Sequence, residues 1–176
     1  MNKAKKNIQL IAIFFVLIGL FYLFNYNFAH GAMTGSGDSG SSKTLTKFER
    51  LQKKATALVK KAKKLETKNK IKKAKKNYLK AYDILKEANN MEPNNPDVLN
   101  YLGFTLRKTG DLKNAEIFYL EGLKLDSTHP GINEYLGELY VETNRIELAK
   151  ERLEALRGCD CEEFEELDAL IREKSN

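Results

Sequence analysis

Apolar residues fall along this chain at three- and four-residue spacing, and the stripes they form are themselves repeated. Behind Pro96, the residues Val98, Leu99, Leu102 and Leu106 make one helical stripe, and Leu112, Ala115, Tyr119, Gly122, Leu123 and Leu125 make the next. Pro130, Leu136, Gly137 and Ala149 then stand 34 positions after Pro96, Leu102, Gly103 and Ala115. This spacing predicts antiparallel helix pairs, stacked one on the next with the period of the repeat. Each copy opens with a proline in the first helical turn, where a missing N–H costs nothing. Asn95 is a good N-cap, Gly110 and Asn144 supply left-handed stops, and Asp111 can cap the following helix. Small residues at Gly103, Ala115 and Gly122 allow two helices to approach closely.

A looser copy lies upstream. Ala62, Leu65, Asn69, Ile71, Ala74, Tyr78 and Ala81 follow the same pattern at an offset of 41 residues. The additional length extends its second helix by about two turns, through Ile84, Leu85 and Ala88 to Met91. A long amino-terminal helix carrying Leu51, Ala55 and Leu58 leads into this copy. Downstream, Asp160 and Glu163 have the spacing of a capping box, opening a short helix with Phe164, Leu167, Leu170 and Ile171 on its apolar face.

The repeat resembles the tetratricopeptide repeat. The leucine–glycine pair of that family stands at Leu102-Gly103 and Leu136-Gly137, both within Tyr-Leu-Gly. Its later tyrosine falls at Tyr140 but is Leu106 in the preceding copy, and its alanine falls at Ala115 and Ala149. The second-helix aromatic is Tyr119, replaced by Leu153, and the next small residue is Gly122, replaced by Leu156. The closing proline is absent at Ser127 and displaced to Pro93 after the first copy. The resemblance implies an all-α, right-handed α-solenoid of about three antiparallel repeats over residues 45–158, divided at 55–95, 96–129 and 130–158, with residues 159–176 as a capping helix. It also implies a concave groove lined by the first helix of each repeat, built to hold a peptide or protein. The matching positions are Asn100, Phe104, Arg107 and Lys108, with Asp97, in the middle repeat. Glu134, Glu138, Val141 and Glu142 match in the last, and Val59, Lys63 and Glu66 in the first. Glu134, Glu138 and Glu142 share one helix face, so they are expected to meet a basic or polar peptide, with Phe104 as its apolar anchor. Gripping a terminal carboxylate with lysine and asparagine, as some members do, is not expected, because Val59, Glu134 and Glu138 occupy most of those positions.

The beginning of the chain has a different character. Residues 8–24 are apolar apart from Gln9 and follow Lys3, Lys5 and Lys6, so residues 1–30 read as an export segment. An uncleaved inner-membrane anchor over residues 8–29 suits the length of the run. A cleaved signal peptide suits the small residues Ala29, Gly31 and Ala32. Either reading exports the repeats, and the layout resembles small exported bacterial repeat proteins, a resemblance that implies the periplasm of a bacterial cell envelope. Residues 31–44 are Gly- and Ser-rich and read as a flexible linker.

The formal charge of +6 conceals a division. Residues 43–86 hold 17 Lys and Arg against 3 Asp and Glu, whereas residues 87–176 hold 10 against 20. Lys60, Lys63, Lys64, Lys72, Lys73 and Lys76 are the centre of the basic half. They read either as a solvated helix face or as a surface for anionic lipid, an acidic protein, or the acidic half of a second copy. Nucleic acid fits poorly, since Arg50 is the only arginine of residues 43–86 and aromatic residues are not interleaved for stacking.

Cys159 and Cys161, the only cysteines, stand one residue apart. In an exported protein they read first as a disulfide stapling the last repeat to the capping helix, with free thiols or an intermolecular bridge as the alternative. Two sulfurs without a second ligand pair do not make a zinc site, so no metal is expected. His30 and His129 have no base or nucleophile nearby in sequence, and no phosphate-binding loop or nucleophile elbow is present. The chain therefore reads as a non-catalytic interaction module without a cofactor. The competing reading is a membrane-surface or self-assembling structural protein that uses its lysine-rich helices.

Overall fold

The computed structural model describes residues 45–175, and the proposed export segment and linker lie outside them. The described chain forms α1 (Lys47–Glu66), α2 (Ile71–Met91), α3 (Pro96–Thr109), α4 (Leu112–Leu125), α5 (Pro130–Glu142), α6 (Ile146–Ala155) and α7 (Glu162–Ser175). The architecture is an all-helical solenoid of three hairpins, α1–α2, α3–α4 and α5–α6, closed by α7. Among the described residues no helix is long and apolar enough to cross a membrane.

Local chemistry sets the helix ends. Thr46 opens α1 with a full capping box: Glu49 N–H donates to its hydroxyl at 3.1 Å, and Thr46 N–H donates to Glu49 Oε2 at 2.7 Å. Asn95 caps α3 by accepting from Val98 N–H at 3.1 Å, with Pro96 in the first turn. His129 plays that part for α5 through Nδ1, which accepts from Ile132 N–H at 3.2 Å. The turn inside each hairpin passes through a left-handed residue: Asn69 at φ 54°, Gly110 at φ 98° and Asn144 at φ 58°. Asparagine tolerates this region better than most residues, and glycine adopts it without penalty.

Close helix approach fixes the packing. A Cβ on Gly103 would stand 2.6 Å from the Tyr119 ring, so α3 and α4 meet with no room for a side chain between them. The equivalent Gly137 would meet Leu167 of α7 at 2.5 Å instead. The substitution of leucine for the aromatic at position 153 explains the change, because the space a tyrosine fills in the middle repeat is filled by the capping helix in the last. Leu167 is fully buried there and Ile171 nearly so, and their burial holds α7 against α5.

Two sequence expectations need correction. The long amino-terminal helix is not a leader to the first hairpin; α1 is that hairpin's own first helix, paired along its length with α2. Asp160 does not cap α7 either. It lies outside the helix at φ 49°, whereas a capping residue has extended backbone, and α7 begins at Glu162.

Candidate partner-binding groove

The first helices of the hairpins, α1, α3 and α5, form one wall. Phe104 lies at its floor, only 2% exposed. The Tyr78 ring packs edge-on at 5.7 Å from one side and the Tyr135 ring at 4.8 Å from the other. Lys63 Nζ sits 4.8 Å from the centre of the Phe104 ring and donates to the Tyr135 hydroxyl at 3.1 Å. The Arg107 guanidinium stands 5.8 Å from both rings. Phe104 is therefore not an anchor offered to a partner. The ring is enclosed by Tyr78 of α2, Lys63 of α1 and Tyr135 of α5, and supports the side chains above it.

The acidic residues are also used inward. Arg107 is buried and ion-pairs with Glu138 and Glu142. Its burial opposes the charge, but the attraction of Glu138, reinforced by Glu142, holds its pKa above the ordinary arginine value. Lys108 pairs with Glu66 at 3.2 Å, and Glu66 also accepts from the Tyr78 hydroxyl at 2.8 Å. Glu134 is only 4% exposed. Burial, a hydrogen bond with Glu166, and the negative charges of Glu138, Glu166 and Glu163 push its pKa up to about 9, so it is protonated at neutral pH. The expected acidic face at Glu134, Glu138 and Glu142 is thus reduced. One carboxyl is neutral beneath α7, and the other two share one buried arginine, with Glu142 still part-exposed.

What the wall leaves open is a depression of about 410 Å³ between α1, α3 and α5, lined by Lys53, Thr56, Val59, Lys60, Lys63, Tyr101 and Tyr135. A second, of about 270 Å³, adjoins it and shares Lys53, Thr56 and Tyr101. Tyr101 and Tyr135 are half-buried, and burial raises the Tyr135 pKa, so its hydroxyl stays protonated. Sequence reasoning missed both tyrosines as groove residues, although they occupy the same place in the repeated Tyr-Leu-Gly. Asn100 is buried, with its side chain against Gly131 at the start of α5.

The lysines of the basic half separate into two groups. Lys60 and Lys63 line the depression, whereas Lys72, Lys73 and Lys76 are exposed on the second helix α2, with Lys64 exposed on α1. Cys159 and Cys161 are joined as a disulfide in the connection from α6 to α7. Among the described residues no group of His, Cys, Asp and Glu could hold a metal ion.

Stacked hairpins with this period and glycine placement have a counterpart among known families. The family model described as Tetratricopeptide repeat matches residues 96–129. These residues are similar to that repeat. The fold of the whole described chain agrees with that assignment. It is similar to the crystal structure of TTC0263, a thermophilic tetratricopeptide-repeat protein of Thermus thermophilus, at 20% identity and a TM-score of 0.60, over 77% of this chain and 67% of that one. It is also similar to the type III secretion translocator chaperone SycD of Yersinia enterocolitica, at 13% identity and a TM-score of 0.52, over 81% of this chain and 94% of that one. A second SycD structure, described as an alternative dimer, matches at 17% identity and a TM-score of 0.50, over 69% and 89% of the two chains. Comparison with curated proteins finds no match.

Proposed function

We propose that this chain is a non-catalytic interaction scaffold that holds a segment of a partner protein in the groove between α1, α3 and α5. The observation that carries the reading is the open depression with Tyr101 and Tyr135 on its walls, set on side chains locked by Phe104 and Arg107. Half-buried tyrosines supply large contact area and a polar tip at little entropic cost, as partner-binding surfaces require. The tetratricopeptide-repeat fold supports the reading, and a similar fold serves SycD, a secretion chaperone. We place the scaffold in the bacterial envelope, exported by residues 1–30 and either anchored by residues 8–29 or released. That placement rests on the lysines and the apolar run of the sequence.

Photo-crosslinking in intact cells tests the groove. A crosslinking amino acid at Tyr101 or Tyr135 captures a discrete partner, whereas the same group at Leu79, exposed on α2, does not. Crosslinks from position 79 alone remove the reading. A second reading, a charge-driven surface or self-assembling protein, is favoured by the exposed lysines Lys72, Lys73 and Lys76 on α2. It predicts crosslinks from α2 that disappear between low and moderate salt.

A further inference from the structure

The groove has a chemical preference that follows from which of its charges are already neutralised. Toward α5, every cation of the wall has a carboxylate: Arg107 has Glu138 and Glu142, and Lys108 has Glu66. The three α1 lysines that line the depression form no ion pair among the described residues, although Glu66 of α1 takes Lys108, and Glu49 and Asp97 line the adjoining depression beside Lys53. Lys53 and Lys60 have no carboxylate partner among the described residues, and Lys63 directs its ammonium to the Tyr135 hydroxyl and to two aromatic rings. Three ammonium groups therefore line one depression together with two tyrosines, Val59 and Ala57. Clustered like charge carries an electrostatic cost, and Lys53 and Lys60 form no ion pair among the described residues that would offset it, whereas Lys63 also ties α1 to Phe104 of α3 and Tyr135 of α5.

Resting on the groove reading above, we propose that the occupant is an acidic, extended segment within a partner protein, recognised without a free carboxyl terminus. Lys53, Lys60 and Lys63 lie on one face of α1 and span roughly 15 Å along its axis, at 1.5 Å per residue. An extended chain places alternate side chains on one face roughly 7 Å apart. Three acidic residues in alternation cover about 14 Å, which matches the end-to-end span of the lysines, and the flexible lysine stems take up the uneven spacing between them. The intervening residues face away, or between Tyr101 and Tyr135, where the depression is apolar. The site differs from a terminal-carboxylate grip in both residues and position: the α5 positions such a grip needs hold the buried Glu134 and the arginine-bound Glu138. A basic peptide would instead face three uncompensated ammonium groups.

The test uses the full chain in detergent micelles and a fluorescent peptide of roughly nine residues that alternates Glu with apolar residues and is amidated at its carboxyl end. Glutamine and lysine versions serve as comparisons. The glutamate peptide binds best in fluorescence anisotropy, and the free-acid form gains no more than about twofold. Replacing Lys53→Glu and Lys60→Glu weakens it by about tenfold or more, whereas Lys72→Glu with Lys76→Glu, the same charge change on α2, changes it by less than about twofold. Equal loss from the two double variants overturns the inference, because the binding is then general charge attraction. Tighter binding of the glutamine or lysine peptide, displaced by groove substitutions, overturns the acidic preference but leaves the groove reading standing. Preferential binding of an oligonucleotide or of anionic lipid vesicles in competition also overturns it. Failure of all peptides, together with no crosslinking from Tyr101 or Tyr135 in cells, removes both readings.

Discussion

Replacing Glu134 by glutamine tests the most unusual feature of the packing, a carboxyl group buried among other carboxylates. Glu134 is 4% exposed beneath α7, and its pKa is about 9 against an ordinary value of 4.5. The folded chain thus holds a proton at this position that the unfolded chain releases, over the window from about pH 4.5 to about pH 9. Stability linked to this group is fully present below pH 4.5 and is lost as pH rises through the folded pKa. One extra proton in the folded state corresponds to a slope of at most about −1.4 kcal/mol per pH unit. Glutamine has the shape of the protonated acid, can still hydrogen-bond Glu166, and cannot ionise. Between pH 6 and pH 8 the wild type should therefore lose up to about 2.7 kcal/mol relative to Glu134→Gln. Displacement of α7, which would let water reach the carboxylate, reduces this to about 1–2 kcal/mol. Urea denaturation of both proteins at pH 6, 7 and 8 measures it, because all other titrating groups cancel in the difference. The variant should become more stable than the wild type as pH increases. A difference that stays constant across that range would refute the argument that Glu134 is held protonated.

Two further substitutions test the close approaches. Gly103→Ala places a Cβ against the Tyr119 ring and should cost about 1–3 kcal/mol in thermal or urea unfolding, with part recovered by adding Tyr119→Leu, the residue type at position 153 of the last repeat. Leu167→Ala empties the contact with Gly137 and should cost about 2–4 kcal/mol, with hydrogen-exchange protection lost first in α7; uniform loss across all helices would mean that α7 does not unfold as a separate unit.

The hairpins, their turns and their tight glycines are legible in the sequence because they depend on local pattern. Proline, asparagine and glycine mark helix ends through backbone conformation alone, and Asn95, Gly110, Asp111 and Asn144 act where the pattern places them. The capping helix is legible from its apolar stripe, but its start is not, because Asp160 shares the short connection between α6 and α7 with the disulfide and takes a left-handed conformation. The groove is only partly legible. Its helices follow from the repeat, but whether a side chain faces solvent depends on the neighbouring repeat. Phe104 has the spacing of an anchor and lies at the floor, because Tyr135 covers it.

The error about the glutamates has a single cause, and it shows how charge is distributed in a stack of repeats. Within α5, Glu134, Glu138 and Glu142 show only their shared face and like sign. Polar partners across the stack lie about one period apart: Arg107 is 35 residues before Glu142, His129 is 32 after Asp97, and Arg145 is 29 after Glu116. Because successive hairpins are translated copies, the repeat length is also the contact length, and ion pairs across the stack fall close to it. Laying each first helix beside its successor pairs Arg107 of α3 with Glu138 and Glu142 of α5 and Lys108 of α3 with Glu66 of α1. The same pairing between repeats that draws the α5 glutamates to Arg107 leaves Lys53 and Lys60 without an ion pair among the described residues, on the face of α1 that lines the depression.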